Sequence, residues 1–182
     1  MGRDTHRIEI EGVVRELPLF EVAPDLRIAV FNLLGDTDIV EAAARGLARR
    51  LEGVDHDVLV TAETKSVPLV YELARVLGQP WIVLRKQYKP YMGATITART
   101  DSITTGQAQT LHLDEKDLVL VEGKRAVIVD DVISTGSTLE GMRSVVREAG
   151  GTVVAEAAVF TEGDERDTEG VLSLGHLPLF PS

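Results

Sequence analysis

The chain has 182 residues, 44% of them apolar, no cysteine and a formal net charge of −10. That length suits one domain with a substantial core; the charge argues against wide contact with a nucleic-acid backbone, and the missing thiols exclude disulfides and thiolate chemistry. No apolar run is long enough to cross a bilayer, and the opening MGRDTHRIEIEG is charged where a secretory leader is apolar, so a cytoplasmic protein without membrane contact is expected.

Residues 8 to 34 carry short apolar runs, Ile8–Ile10, Leu17–Phe20 and Ile28–Leu34, broken by Pro18 and Pro24. They read as irregular strands and loops, not as a βαβ unit. From Asp38 the period changes: Ile39, Ala43, Leu47 and Leu51 form one stripe with Arg45, Arg49 and Arg50 off it. This predicts an amphipathic helix capped by Asp36, Thr37 or Asp38.

Asp57–Ala62 (DVLVTA) reads as a buried strand, followed by Glu63, Thr64, Lys65 and Ser66 and a helix closed by Gly78, with Pro68 tolerated in its first turn. A polar loop at the C-terminal end of such a strand lies where open α/β sheets place ligands. A capping Thr64 with a surface lysine explains the same four residues about as well. Trp81–Leu84 forms a third strand and delivers Arg85 and Lys86 to the same edge.

From Leu73 to Thr100 there is no acidic residue, while Arg75, Arg85, Lys86, Lys89 and Arg99 fall inside. Arg75, on a helix, reads as part of a solvated face; Arg85, Lys86 and Lys89, directly after a strand, read as anion-binding. The threonine-rich stretch Tyr91–Leu113, broken by Gly93 and Gly106, reads as two antiparallel arms around a polar tip. His112 lies on one arm, facing solvent or a hydrogen bond, with no second histidine placed to make a metal site.

The most informative stretch is Ala126–Leu139, AVIVDDVISTGSTL. Ala126–Val129 is a short strand buried on both faces, expected to end on two carboxylates, Asp130 and Asp131, at its C-terminal tip. Ser134, Thr135, Gly136, Ser137 and Thr138 make a small turn, and Leu139, Met142, Val145, Val146 and Ala149 follow at helical spacing. A helix start offers unpaired N–H groups and partial positive charge, so a turn of small residues there suits a phosphate. Two adjacent carboxylates suit a pair of sugar hydroxyls or a divalent cation carried by a polyphosphate. The bland alternative is that the carboxylates cap the helix. Val153–Phe160 is a last core strand, Thr161–Thr168 a charged loop, and Val171–Phe180 has no clean period.

This order predicts a single α/β domain with a mainly parallel open sheet and helices on both faces. Residues 36–160 would form the core, and 8–34 with 161–182 a small hood from the chain ends.

The run from the buried strand through the acidic pair to S-T-G-S-T resembles the phosphoribosyl pyrophosphate (PRPP) motif of the type I phosphoribosyltransferases. The resemblance implies that Asp130 and Asp131 contact the ribose hydroxyls and that Ser134–Thr138 hold the 5-phosphate. Glu63, Thr64, Lys65 and Ser66 resemble the pyrophosphate loop of purine-using members, which often runs acidic, small, basic, glycine; here Ser66 takes the glycine's place. Arg85 and Lys86 match residues that contact PRPP, and Lys89 joins them. The polar tip would be the mobile loop that closes over the sugar, but Thr104 and Thr105 stand before Gly106 where adenine-using members carry an acidic and an aromatic residue. In the hood, Phe31, Asn32 and Phe160 are the base-binding candidates, with Phe20 a further ring; for any one phenylalanine, core packing is the plainer role. The resemblance also implies Mg²⁺ brought in by PRPP, with Asp130 the protein group to consider for it, and a homodimer. It favours a purine, adenine slightly ahead of the xanthine and guanine type. A non-catalytic PRPP-sensing regulator is the competing reading, weakened because about the first 35 residues, all that precede the domain, lack a helix-turn-helix pattern.

Overall fold

The computed structural model describes residues 4–101, 108–134 and 136–181. Thr5–Ile10 (β1) and Val13–Ala23 (β2) pair antiparallel, and Leu26–Ala29 (β3) pairs antiparallel with β2. The connecting residues Glu11 and Gly12 both have positive φ, 51° and 81°, the two-residue turn whose twist matches a hairpin. The segment expected to hold irregular strands and loops is a three-stranded meander with a break in register between Glu21 and Ala23, followed by a loop from residue 30 to α1. Pro18 fits inside β2 because its missing N–H faces Val30, just past the end of β3, where the Val30 N–H instead donates to the Pro18 carbonyl at 3.0 Å.

Thr37–Arg50 (α1) begins on Asp36, whose carboxylate accepts from the Ile39 N–H at 3.3 Å. The stripe Ile39, Ala43, Leu47 and Leu51 is buried as its spacing requires. Asp36 also accepts two hydrogen bonds from Arg15 of β2, at 2.6 and 2.8 Å, and Arg49 pairs with Glu11. Ion pairs at both ends of α1 thus tie the meander to it.

The chain then alternates through Val58–Ala62 (β4), Val67–Leu77 (α2) and Trp81–Leu84 (β5). Ile96–Asp101 (β6) pairs antiparallel with Ala108–Leu113 (β7), as the two-arm reading expected. Arg125–Ile133 (β8), Ser137–Glu148 (α3), Thr152–Glu162 (β9), Leu172–Leu177 (β10) and Phe180–Pro181 (β11) complete it. The central sheet is parallel throughout, in the order β10-β9-β8-β4-β5. One face is covered by α1 and α2, the other by α3 and the β6–β7 arms, so β4 is buried along its whole length.

The strand order has one reversal. From β4 the chain steps outward to β5, then returns across β4 to β8 and continues the opposite way to β9 and β10. The connections after β4 and β8 leave toward α2 on one face and α3 on the other, which opens a crevice between the two strand ends.

Two boundaries differ from the sequence reading. The acidic pair is not at the tip of β8: pairing with β4 stops at Val60–Ile128, but pairing with β9 runs on to Ile133–Thr161. Asp130 and Asp131 are thus held in an extended strand that is laddered on one side and open on the other. The C-terminal stretch also divides. Leu172–Leu177 extends the central sheet, and only Phe180–Pro181 joins the hood, pairing with β3. β10 is an edge strand whose residues are mostly half-buried, which is why its sequence has no clean alternation.

The hairpin arms are part of the second core: Leu111 is buried against the layer containing Leu139 and Met142 of α3. Leu111→Ala should cost about 2–4 kcal/mol of stability, measured as a lowered midpoint in urea unfolding.

Candidate active site

At the mouth of the crevice the β4–α2 loop faces the open side of β8. Ser66 is 2% exposed and Asp131 4%, while Asp130 is half-buried. The Ser66 Oγ lies 2.6 Å from Asp130 Oδ1 and 3.2 Å from Asp131 Oδ1, and the Asp131 N–H donates back to Ser66 Oγ at 2.9 Å. The Asp131 N–H also reaches Asp130 Oδ1 at 2.9 Å. Lys65 Nζ lies 2.8 Å from Asp131 Oδ2. The Lys65 ammonium compensates the charge of Asp131 Oδ2, an oxygen that is itself out of contact with solvent.

The two Asp residues do not cap α3. Its N-cap is Gly136, and no side chain caps it. Gly136 has φ 73°, a backbone conformation that favours glycine, and a Cβ there would project into open space. The first turn, with half-buried Ser137 and Thr138, keeps the amides that an α-helix cannot pair internally. Ser134 is half-buried beside it; Thr135 lies outside the described residues.

The loop itself differs from expectation. Ser66 sits at an ordinary helical φ of −82°, so serine is not strained there; the unusual feature is the cis Glu63–Thr64 peptide. The Thr64 side chain is exposed, and Ser66, not Thr64, occupies the N-cap position of α2. Glu63 accepts from the Arg85 Nε–H and from the Lys86 N–H, the latter at 2.9 Å. The acidic residue of the loop therefore fixes the basic pair at the end of β5. Lys86 and Lys89 are exposed, whereas Arg75 pairs with Glu72 on its own helix, as a solvated face would.

The base-binding candidates separate. Phe31 and Phe160 are buried against each other, centroids 4.9 Å apart and edge to face at 87°, so neither ring has an open face for stacking. Asn32 is exposed and its Oδ1 accepts from the Leu34 N–H at 3.1 Å, while Phe20 is exposed on the hood. Thr104, Thr105 and Gly106 lie outside the described residues. A residue that sequence reasoning passed over is Glu162 at the end of β9. Burial pushes its carboxyl up, while His176 and Lys65 pull it down by charge, which brings it within electrostatic reach of the loop lysine. Among the described residues no three His, Asp or Glu side chains are grouped to hold a metal ion by themselves.

Comparison with known proteins agrees with this geometry. The phosphoribosyl transferase domain family matches residues 34–170, and the chain belongs to that family. It is 30% identical to adenine phosphoribosyltransferase of Agathobacter rectalis over 145 residues, 80% of each chain. It is 28% identical to the purine biosynthesis transcriptional activator PurR of Lactococcus lactis over 162 residues, 88% of this chain but only 59% of that protein. The fold matches the crystal structure of adenine phosphoribosyltransferase from Thermoanaerobacter pseudethanolicus with a TM-score of 0.72 at 23% identity, covering 88% of this chain and 95% of that one.

Asp130 carries the strongest electrostatic tension. Burial pushes its carboxyl up, to about 7, the charge of Asp131 adds to this, and the Ser66 hydroxyl opposes it. An acid whose pKa is higher folded than unfolded holds more protons when folded, so stability falls as pH rises from the ordinary carboxylate range to that value. Asp130→Asn should therefore stabilise the protein at pH 8, by about 1 kcal/mol or roughly 2–4 °C in Tm, with a smaller gain at pH 5. Thermal unfolding at the two pH values checks it.

Proposed function

We propose that the protein is a purine phosphoribosyltransferase, which joins a purine base to PRPP and releases pyrophosphate and a nucleoside monophosphate. The observation that carries this reading is that one crevice brings together the Lys65–Ser66 loop, the Asp130–Asp131 pair and the uncapped first turn of α3. These serve the three parts of PRPP: a polyanionic leaving group, two ribose hydroxyls and a terminal phosphate.

Ser134, Thr135, Gly136, Ser137 and Thr138 hold the 5-phosphate through hydroxyls and amides at the positive end of the helix. Asp130 and Asp131 accept from the ribose hydroxyls, which fixes C1 in line with the incoming base nitrogen. That nitrogen's lone pair forms the new C1–N bond as the C1–O bond breaks. Pyrophosphate leaves with the bonding electrons, and the base's N–H proton passes to solvent. Charge grows negative on pyrophosphate and positive on the ribose ring, so Lys65, Arg85, Lys86 and Lys89 stabilise one side and the acidic pair the other. Glu63 acts by orienting Arg85 and the Lys86 backbone.

Mg²⁺ fits this donor set, because it keeps waters and ligand phosphate oxygens and needs only one or two carboxylates. Asp130 is the carboxylate that would touch it, since Asp131 Oδ2 already faces Lys65 Nζ at 2.8 Å, and when bound it would supply charge for the leaving pyrophosphate. Adenine is the favoured base on the strength of the relative from A. rectalis. A homodimer in the cytoplasm is part of the same reading.

The likeness to PurR supports a second reading, a regulator that binds PRPP without turning it over. Incubation with PRPP, Mg²⁺ and adenine, guanine, hypoxanthine or xanthine separates the two. The enzyme releases pyrophosphate with at least one base, adenine being the expected one; a regulator binds PRPP and releases none. Asp131→Asn should lower kcat at least about 100-fold with the fold retained, and Lys89→Ala should raise the KM for PRPP with a smaller effect on kcat.

A further inference from the structure

Counted across the central sheet, β10 stands two strands from β8 and forms the edge opposite β5. Gly46 of α1 comes so close to this strand that a Cβ on it would meet the Leu174 side chain at 2.8 Å. Arg50, one helical turn later on the same face, is thereby carried over β10. The short helical turn Glu165–Thr168, between β9 and β10, folds back toward the same place. Together they enclose a cavity of about 360 Å³, whose polar lining is Arg50, Thr161, Glu165, Thr168, Ser173 and His176. None of the residues assigned to PRPP above lines it.

The charges in this cavity are not spent on each other. Arg45 and Arg49, on the same helix, pair with Glu41 and Glu11, whereas Arg50 makes no ion pair or hydrogen bond among the described residues. The end of α1 favours a cation at that position, and its guanidinium donors are left free. The Glu165 carboxylate is likewise exposed and without a partner among the described residues, so two opposite charges share one cavity without closing on each other. The hydroxyls between them are better buried. Thr161 and Thr168 are each 7% exposed; Thr168 Oγ1 donates to the Glu165 carbonyl at 3.3 Å, and Thr161 Oγ1 lies 3.0 Å from His176 Nδ1. The parallel register that sets His176 beside Thr161 makes this last contact. It leaves His176 Nε2 and the hydroxyl of half-buried Ser173 without protein partners among the described residues.

A guanidinium, a ring nitrogen and a hydroxyl suit an anion with several acceptor oxygens, and the planar fork of arginine matches phosphate in particular. A carboxylate in the same cavity suits N–H or O–H donors at the other end of the ligand. The volume exceeds what an inorganic ion needs and falls in the range of small-molecule pockets. We infer that this cavity is a second ligand site, which takes a phosphate monoester carrying hydrogen-bond donors at its far end, the chemistry of a nucleoside monophosphate. Arg50, Ser173 and His176 hold the phosphate, and Glu165 accepts from the donor end. The site stands apart from the functional reading above and does not rest on it.

The test follows the His176 ring signals of the intact chain by NMR, identified by their loss in His176→Gln, while adenosine monophosphate (AMP) is added. AMP should move them saturably. Arg50→Gln should raise the Kd at least about tenfold, whereas Arg45→Gln, which removes a paired arginine from the same helix, should leave it unchanged. AMP should bind more tightly than inorganic phosphate, and Glu165→Ala should narrow that difference. Signals that stay in place at about 10 mM AMP, or that move as readily in Arg50→Gln as in the wild type, would overturn the site. Inorganic phosphate binding as tightly as AMP would overturn the ligand class.

Discussion

The site depends on a mismatch of strand lengths at the one reversal in the sheet. β8 is held by β9 well beyond the point where β4 leaves it, so three residues past the shared ladder, β8 is still extended but has one free side. The loop after β4 turns into that free side and supplies the missing lateral contacts through a side chain, Ser66, instead of a backbone ladder. Two carboxylates in sequence would repel each other and resist burial; here they are accommodated because one hydroxyl, one amide and one lysine converge on them. Much of the chemistry proposed for this chain follows from that local substitution of side-chain bonds for sheet bonds.

The core was legible in the sequence where burial on both sides removes any ambiguity of pattern. DVLVTA and AVIV are apolar runs too short for a helix and suited to a strand covered on both faces; the helices are marked by stripes such as Ile39, Ala43 and Leu47, by Asp36 before α1 and by Gly78 after α2. The continuation of β8 through Asp130–Ile133 was not legible, since polar residues in a strand are read as its end when the partner that holds them, β9, is not in view. β10 was missed for a related reason: an edge strand under a helix is half wet, and half-wet leucines have no sharp period.

The site was legible as a set of chemical groups and not as a set of contacts. Charge and spacing selected Lys65, Asp130 and Asp131, which the fold brings within one crevice. Spacing said nothing of Ser66 meeting the acidic pair, because its partners lie 64 and 65 residues away. Nor did it reveal that Glu63 orients Arg85 or that Phe31 and Phe160 close on each other. Glu162 carried no local signal, being one charge among many in TEGDERD.

The hood has its own lesson. Its outermost strand, Phe180–Pro181, is added beside β3, with the Phe180 ring 5.1 Å from His6 and the Pro181 carbonyl accepting from Arg27, 154 positions earlier. Local order cannot substitute for such a distant partner, and closure over that many residues is slow compared with helix formation. β10 of the central sheet and β11 of the hood are separated only by Pro178 and Leu179, so one short connection joins the edge of the one sheet to the edge of the other.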